Sequence, residues 1–217
     1  MHTECYPPVV SGDAASVFNH IAPRVLLLGG PNGAGKTTIA PHLLAEHLSI
    51  ERYVNADRIA EGLDGFSPAS VSLTAGRVML ERVHALAARR ESFAFETTLA
   101  SRTFADWIGR LQADGYVFLL FFVALQTSDI AVARVAERVR LGGHQVEEGD
   151  IRRRFIRGLR NFFGLYRPLA DRWWFYDNSG PERAIEVARS QRGEGATTVV
   201  AAELWRYYKE VGDVPTP

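Results

Sequence analysis

A glycine-rich segment constrains this chain more than any other feature. Residues 30–37 read GPNGAGKT, which matches the pattern GxxxxGK[ST] at every position. The apolar run RVLLLG precedes the segment, and a helical stretch follows it. Glycines let successive backbone N–H groups turn around a phosphate, and a helix that begins at the loop adds the positive end of its dipole. The pattern therefore predicts a phosphate-binding loop between a buried strand and a helix.

Two side chains of this segment have specific roles in such loops. Lys36 reaches the β- and γ-phosphates of a nucleotide, and the Thr37 hydroxyl ligates Mg²⁺. Lys36 and Lys209 are the only two lysines in the sequence, so chance alone would rarely place a lysine at this position. A glycine turn that merely joins a strand to a helix is the alternative. We expect ATP and Mg²⁺ as cofactors, with the nucleotide bound by Gly30, Pro31, Asn32, Gly33, Ala34, Gly35, Lys36, Thr37 and Thr38.

The rest of the chain alternates apolar runs with helical stretches. Because strands that alternate with helices form a parallel sheet covered on both faces, we predict a three-layer α/β/α fold. It is of the P-loop NTPase class, adenylate-kinase-like, with a mainly parallel five-stranded sheet. The predicted strands are 24–29, 53–57, 92–96, 116–125 and 173–176, and the main helices are at about 37–48, 67–90, 101–113, 129–141 and 150–166.

Residues 1–217 are expected to form a single domain. Residues 1–22 show no sustained periodicity and are predicted to be an N-terminal tail or cap. Residues 181–217 form a C-terminal extension. Within it, a glycine-containing turn between two short apolar runs is consistent with a hairpin, and a last helix is predicted at about 201–210.

Composition excludes several classes of partner and location. The chain has 25 basic and 25 acidic residues, so its formal net charge is zero and no global field attracts nucleic acid or an anionic membrane. The single cysteine, Cys5, cannot form an internal disulfide. The N-terminus lacks a signal-peptide pattern, and the longest apolar run, residues 116–125, is about half of a membrane span. We expect a cytoplasmic protein.

The absence of other motifs narrows the set of reactions that the chain could catalyse. The sequence has no NKxD motif, which a GTPase uses to read its base, and no LSGGQ-like signature of a transporter ATPase. The chain is also short, which favours a small-molecule kinase. An ATPase switch that acts through a partner remains an alternative, as does a kinase of nucleic-acid 5′-hydroxyls. The neutral charge gives little support to the second.

Two acids end predicted strands at the edge of the sheet where ligands bind in α/β proteins. Asp57 ends YVNAD and is predicted to orient or deprotonate the attacking hydroxyl. Glu96 ends SFAFE and is predicted to bind the substrate or to hold the metal through water. The alternatives are a helix cap for Asp57 and a buried ion pair with an arginine for Glu96. Thr97 and Thr98, which follow Glu96, are candidate substrate contacts.

An arginine-rich lid is predicted at about residues 134–160. Nine arginines and only four acids lie between positions 134 and 167, on two helices joined by the turn LGGHQ. Planar guanidinium groups stabilise charge that builds on γ-phosphate oxygens. We expect two or three of the group Arg134, Arg138, Arg140 and Arg153 to contact phosphate, with Arg134 binding ATP and Arg138 and Arg140 acting in catalysis. Solvated helix faces are the alternative, and His144 is expected to be a surface or lid-packing residue.

Five motifs in this order resemble the zeta-toxin family, and more closely its compact bacterial branch, over about residues 24–180. They are GGPNGAGKTT, YVNAD, FAFETT, a GGH turn after an arginine-bearing helix, and YDNS. The resemblance implies a kinase that uses ATP and Mg²⁺ to phosphorylate a sugar hydroxyl of UDP-N-acetylglucosamine, restrained by an antitoxin. It also implies a place for Arg77 at the sugar site, Asp57 as the base, Glu96 and Thr98 beside the substrate, and phosphate-clamping roles for Arg140 and either Arg134 or Arg138.

The sequence departs from that family at the acceptor side. Asn-Ala-Asp at residues 55–57 stands where the well-studied members have Asp-Asn-Asp, and Glu-Thr-Thr at 96–98 replaces Glu-Gly-Thr. Another branch of the superfamily phosphorylates NAD, so NAD is an alternative acceptor.

Overall fold

The computed structural model describes residues 22–42, 50–62, 68–143, 145–191 and 197–213. The predicted N-terminal tail therefore lies almost wholly outside the described residues. Cys5, His144 and the end of the first predicted helix, residues 43–48, also lie outside them.

A seven-stranded sheet forms the middle layer of the molecule, with the strand order β2-β3-β1-β4-β5-β6-β7. The first five strands of the chain are parallel, as predicted, and β6 and β7 are added antiparallel at one edge. The predicted five-stranded core is thus confirmed and is widened by the predicted hairpin. The strands are β1 Arg24–Gly29, β2 Arg52–Val54, β3 Phe93–Thr97, β4 Val117–Ala124, β5 Arg172–Asp177, β6 Ile185–Gln191 and β7 Thr197–Val199.

Helices cover both faces of this sheet. A π-helical turn at Phe162–Tyr166 continues α6 into α7. The helices of the described residues are α1 Lys36–His42, α2 Ala56–Glu61, α3 Pro68–Ala88, α4 Thr103–Ala113, α5 Ser128–Arg140, α6 Glu148–Asn161, α7 Arg167–Leu169 and α8 Ala202–Asp213.

The second strand was wrongly predicted at 53–57, because β2 ends at Val54. The Asn55 side chain accepts hydrogen bonds from the backbone N–H groups of Asp57 and Arg58, at 2.8 and 3.3 Å. Such a side chain competes with strand pairing and starts a helix. Asp57 therefore lies in the first turn of α2 and not at a strand end.

The core is divided between the two faces of the sheet. Alternate residues of β1 show this, since Val25 and Leu27 belong to one apolar cluster and Leu26 and Leu28 to the other. Helices α3, α4 and α8 contribute to the first cluster, α1 and α5 to the second, and α6 to both. The arrangement confirms the three-layer fold.

Aromatic side chains near the C-terminus belong to this core. Phe162, Tyr166 and Phe175 are fully buried, and Trp173 stacks on Trp205 of α8 with ring centroids 5.6 Å apart. The C-terminal extension is therefore part of the packed domain. Among the described helices, none is long and apolar enough to cross a membrane.

Candidate active site

The glycine-rich loop lies between β1 and α1, at the carboxyl end of the parallel strands. Gly30 has a φ of 144°, and a Cβ atom there would lie 2.2 Å from the carbonyl oxygen of Val123. Gly35 has a φ of 84°, and a Cβ atom there would lie 2.7 Å from the side-chain nitrogen of Asn178. Both positions thus require glycine, for backbone conformation and for close approach. The loop is pressed against β4 and against the segment after β5.

Lys36 is buried beneath this loop and is 6% exposed. Its Nζ donates to the carbonyl oxygens of Gly30 and Pro31 at 2.8 and 2.9 Å, and lies 3.7 Å from Glu96 Oε1. Burial lowers the pKa of Lys36, whereas the negative charges of Glu96 and Asp57 act to raise it. The ammonium group is therefore held at the loop by acceptors on two sides.

Glu96 is the centre of a polar cluster built from three elements. Its carboxylate accepts a hydrogen bond from Thr37 Oγ1 at 3.0 Å, one from Asn55 Nδ2 at 2.8 Å and one from the Tyr53 hydroxyl. Burial and the Glu96 charge both raise the pKa of Tyr53, so the phenol stays a donor. The ion-pair partner of Glu96 is thus Lys36, and not an arginine as the alternative had it.

The donor set around Thr37 fits Mg²⁺. The Thr37 hydroxyl and the Glu96 carboxylate lie 3.0 Å apart, and both offer the oxygen ligands that Mg²⁺ prefers. Within the described ranges, no three His, Cys, Asp or Glu side chains are grouped so that they could hold a metal by themselves.

Two neighbouring cavities open at this place. The smaller one, the loop cavity, has a volume of about 240 Å³ and is lined by residues 32–38, Asp57, Glu96, Arg134 and Arg138. The larger one, the α3 cavity, has a volume of about 490 Å³. Four residues line both cavities, namely Asn32, Lys36, Asp57 and Glu96. They form the junction between the cavities.

The α3 cavity contains the other residues predicted to bind the acceptor. Arg77, Thr97 and Thr98 line it, and so does Arg154 of α6. Its apolar wall is formed by Leu73, Met79, Leu80 and Phe104. The structure therefore brings Asp57, Glu96 and all three of the other predicted substrate residues to one cavity.

Asp57 lies opposite the loop and is about half exposed. Its Oδ2 is 3.5 Å from Arg138 Nη1, and the side chain of Arg138 is about one-third exposed. Solvent screens such a pair, so it contributes little free energy and can open. Asp57 is thus available to a ligand at the junction.

The predicted lid arginines divide into two groups. Arg134 and Arg138 both line the loop cavity, and Arg134 also donates to the carbonyl oxygens of Ser179 and Gly180 at 3.3 Å each. Arg140 lines neither cavity and pairs with Glu137 on the exposed side of α5. Residues four apart share a helix face, whereas Arg140 follows Arg138 by only two and projects elsewhere.

Arg153 is likewise outside both cavities. It pairs with Asp150 at 2.6 Å, and its neighbour Arg154, which the sequence analysis did not favour, lines the α3 cavity instead. Arg154 also pairs with Asp150, at 3.4 Å. The helical spacing of α6 decides which of these adjacent arginines faces the sheet edge.

Other supporting residues were missed as well. Asn178 donates from its side chain to the carbonyl oxygen of Ala34 at 2.9 Å and from its backbone to Ala124 at 2.9 Å. It therefore ties the glycine-rich loop to the end of β4. Tyr53 and Asn55, which hold Glu96, were also missed. All three lie where a strand ends at the ligand-binding edge of the sheet, and that position is a signal the sequence contains.

The sequence is similar to those of known proteins. A family model described as zeta toxin matches residues 11–165. An uncharacterized protein of Haemophilus influenzae is 24% identical over 132 residues, which are 61% of this chain and 92% of that protein.

Two solved structures are similar in fold. The complex of AvrRxo1-ORF1 with ORF2 and ATP matches with a TM-score of 0.70 and 17% identity, over 90% of this chain and 66% of that chain. This chain thus spans just under two thirds of that protein. The PezAT toxin-antitoxin system of Streptococcus pneumoniae matches with a TM-score of 0.59 and 17% identity, over 89% of this chain and 85% of that chain. At 17% identity, these structural similarities show the fold alone.

Proposed function

This chain belongs to the zeta toxin family, and we propose that it is an ATP-dependent phosphotransferase whose acceptor hydroxyl belongs to a small molecule bound in the α3 cavity. The observation that carries the proposal is the junction of the two cavities. A phosphate-binding loop and a cavity large enough for a small molecule share Lys36, Asp57 and Glu96. A γ-phosphoryl group in the first would face a hydroxyl in the second.

The loop cavity supplies the nucleotide site of this proposal. Lys36 and the loop N–H groups bind the phosphates of ATP, and Thr37 with Glu96 would hold Mg²⁺. Bound Mg²⁺ would neutralise charge on the phosphate oxygens. Arg134 and Arg138 at the rim of the cavity clamp the γ-phosphate from the lid. Their place in the lining of the loop cavity and the acceptors around Lys36 support these roles.

Asp57 orients or deprotonates the acceptor hydroxyl at the junction. Phosphoryl transfer through a loose transition state depends mainly on positioning and on charge neutralisation, so a half-exposed carboxylate suffices. Arg77, Arg154, Thr97 and Thr98 provide charged and polar contacts for the acceptor, against an apolar wall. Two cations beside an apolar surface suit a nucleotide-linked acceptor such as UDP-N-acetylglucosamine.

A protein partner is part of the proposal. Two structural neighbours, PezAT and the AvrRxo1-ORF1:-ORF2 complex, are described as two-component assemblies, the first of them a toxin-antitoxin system. We infer by analogy that this chain is the toxin of such a pair and that an antitoxin restrains it. Coexpression with the neighbouring open reading frame tests this, since a cognate antitoxin should copurify and relieve growth inhibition.

A mass-spectrometric assay tests the activity. Purified protein, ATP and Mg²⁺ are incubated with UDP-N-acetylglucosamine, other UDP-sugars, NAD and a 5′-hydroxyl oligonucleotide. We expect one added phosphoryl group on a UDP-sugar, lost in both Lys36→Ala and Asp57→Asn. Phosphorylation of NAD or of the oligonucleotide instead would refute the nucleotide-sugar acceptor. ATP consumption with no modified acceptor would favour an ATPase switch.

A further inference from the structure

The connection between β3 and α4, residues 98–102, contains a strained backbone position. Leu99 has a φ of 60°, in the left-handed region that residues other than glycine, asparagine and aspartate rarely adopt. Within the described ranges one other non-glycine residue has a positive φ, Arg90, and it lies just beyond the end of α3, where that conformation is common. Leu99 lies before a helix and not after one. Its conformation must therefore be maintained by contacts with the rest of the protein.

The same connection forms part of the α3 cavity. Thr98 and Ser101 line that cavity, as does Thr97 at the end of β3. Leu99 faces the core instead, since its side chain is fully buried and a Cβ atom at Gly29 would lie 2.0 Å from Leu99 Cδ1. The strained residue thus lies between residues that line the cavity. Backbone strain of this kind persists where the surrounding structure holds functional groups in fixed positions.

One face of α6 is packed against this connection. A Cβ atom at Gly158 would lie 2.3 Å from the carbonyl oxygen of Thr98, so the helix approaches more closely than a larger residue permits. Three residues on, the side chain of Asn161 donates a hydrogen bond to the carbonyl oxygen of Leu99 at 2.7 Å. Residues three or four apart share a helix face, and Arg154, four residues before Gly158, lines the α3 cavity. This face of α6 therefore contacts both the cavity and the connection.

The π-helical turn after α6 adds a second hydrogen bond. Residues five apart do not share the face of an α-helix, but the wider π turn at Phe162–Tyr166 brings Tyr166 to the same connection as Asn161. The Tyr166 hydroxyl donates to the carbonyl oxygen of Ser101 at 2.6 Å. Burial raises the pKa of Tyr166 to about 12, so the phenol remains a donor. Two side chains of one helical segment thus hold two carbonyl groups of the connection.

We propose that Asn161 is a positioning residue, which holds the connection in its strained conformation and thereby fixes Thr97 and Thr98 for the acceptor. The backbone N–H of Leu99 donates to Thr97 Oγ1 at 3.2 Å, so the conformation of Leu99 also orients the Thr97 side chain. Asn161 lines neither cavity and acts through the connection alone. Its effect on acceptor binding rests on the proposed function, whereas its hold on the connection does not.

Hydrogen–deuterium exchange followed by mass spectrometry tests this hold without any substrate. We expect Asn161→Ala to speed exchange of residues 97–103 about tenfold, because local opening becomes easier, and to leave residues 29–38 within about twofold of the parent. Gln112→Ala is the matched control. The Gln112 amide also donates to a backbone carbonyl, that of Leu169 at 3.0 Å, but Gln112 lines neither cavity. This variant should leave exchange of residues 97–103 unchanged.

Kinetics with UDP-N-acetylglucosamine and calorimetry with ADP test the effect on the site. Asn161→Ala should raise the KM for UDP-N-acetylglucosamine about tenfold, with kcat and the affinity for ADP within about threefold of the parent. A general loss of stability would not separate KM from these two quantities. Tyr166→Phe, which keeps the buried ring, should show the same pattern with smaller changes, and it takes the place of Asn161→Ala if that variant does not fold.

Exchange of residues 97–103 at the parent rate, or equal acceleration in residues 29–38, would overturn the inference. An unchanged KM in a protein that phosphorylates UDP-N-acetylglucosamine would overturn the role of Asn161 in acceptor binding. Faster exchange confined to the connection, in a protein that phosphorylates no acceptor, would support the hold on the connection and refute the proposed function. The two failures are thus distinguishable.

Discussion

The loop cavity and the α3 cavity are built in different ways. The loop cavity is built around the glycine-rich loop, whose carbonyls accept hydrogen bonds from Lys36 and Asn178. The α3 cavity is enclosed by side chains from several elements, including the exposed Leu73 and the half-exposed Asp57. The difference teaches that one phosphate-binding loop can be combined with many acceptors, since most side chains that line the α3 cavity lie outside the loop.

Asp57→Asn is expected to give the largest difference between its effect on phosphoryl transfer and its effect on ATP affinity. The ion pair of the carboxylate with Arg138 is screened by solvent, so ATP affinity should change less than twofold. Phosphoryl transfer should fall about 10²- to 10⁴-fold, because the amide cannot take up a proton. Steady-state kinetics with a nucleotide-binding assay measure both. Glu61→Gln on the same helix is the control, and equal losses in the two variants would contradict the role of Asp57.

Arg138→Ala and Arg140→Ala form a matched pair on α5. Arg138 lines the loop cavity and Arg140 does not, although only one residue separates them. We expect Arg138→Ala to lower kcat about 10- to 100-fold, the effect of one charge-assisted contact, and Arg140→Ala to leave it within twofold. If Arg140→Ala proves the more damaging, the lid closes by a rotation of α5 that the structure does not display.

Asn55→Asp tests the polar cluster around Glu96. Aspartate caps a helix as well as asparagine does, so the change isolates the effect of a carboxylate at a site 2.8 Å from Glu96. We expect a loss of about 1–3 kcal/mol in the free energy of unfolding at pH 7, measured by chemical denaturation.

The pH dependence of that loss has a definite sign. The folded variant can retain a proton between its two carboxyls, so it binds more protons than the unfolded chain and loses stability as pH rises. The penalty should therefore shrink from pH 7 to pH 5. Addition of Glu96→Gln should remove most of it. A penalty that does not change with pH would mean that the two carboxyl groups move apart in the variant.

The smallest effect on activity is expected from Tyr208→Phe, far from the α3 cavity. The Tyr208 hydroxyl donates to the buried carboxylate of Asp177, next to the residue that supports the loop. Phenylalanine keeps the ring packing, so we expect a loss of about 1–3 kcal/mol in stability and less than a threefold change in ATP affinity. Tyr207→Phe, whose hydroxyl donates to the Gln126 carbonyl at the surface, should cost less.

The elements that depend on local sequence could be predicted. The phosphate-binding loop, the five parallel strands and the positions of Lys36 and Thr37 follow from short patterns and their spacing. The hairpin and α8 were anticipated as elements, but their packing onto the sheet depends on contacts between distant residues such as Trp173 and Trp205. Such contacts have no local signature.

The residues of the site likewise divide into those that the sequence predicted and those that it did not. Asp57 and Glu96 were identified because acids near strand ends meet at one edge of the sheet. The end of β2 was misplaced because the Asn55 side chain redirects the backbone, which a strand pattern does not reveal. The favoured arginines were chosen by number and not by helix face, so Arg140 was included and Arg154 was left out. Counting residues along α5 and α6 would have separated them.

The central claim is that a phosphoryl group passes from the loop cavity to an acceptor in the α3 cavity. Gly76→Phe tests it most directly, because Gly76 lines the α3 cavity and nothing lies within 4 Å of a Cβ atom at that position. Gly109→Phe is the control, since that Cβ position is equally open and lies outside both cavities.

The measurement is phosphoryl transfer to UDP-N-acetylglucosamine, or to the acceptor that the mass-spectrometric panel identifies, together with ATP affinity in each variant. The account predicts that Gly76→Phe lowers transfer more than tenfold while ATP affinity stays within twofold, and that Gly109→Phe changes neither. Unchanged transfer in Gly76→Phe, with the cavity filled by the phenyl ring, would contradict the account.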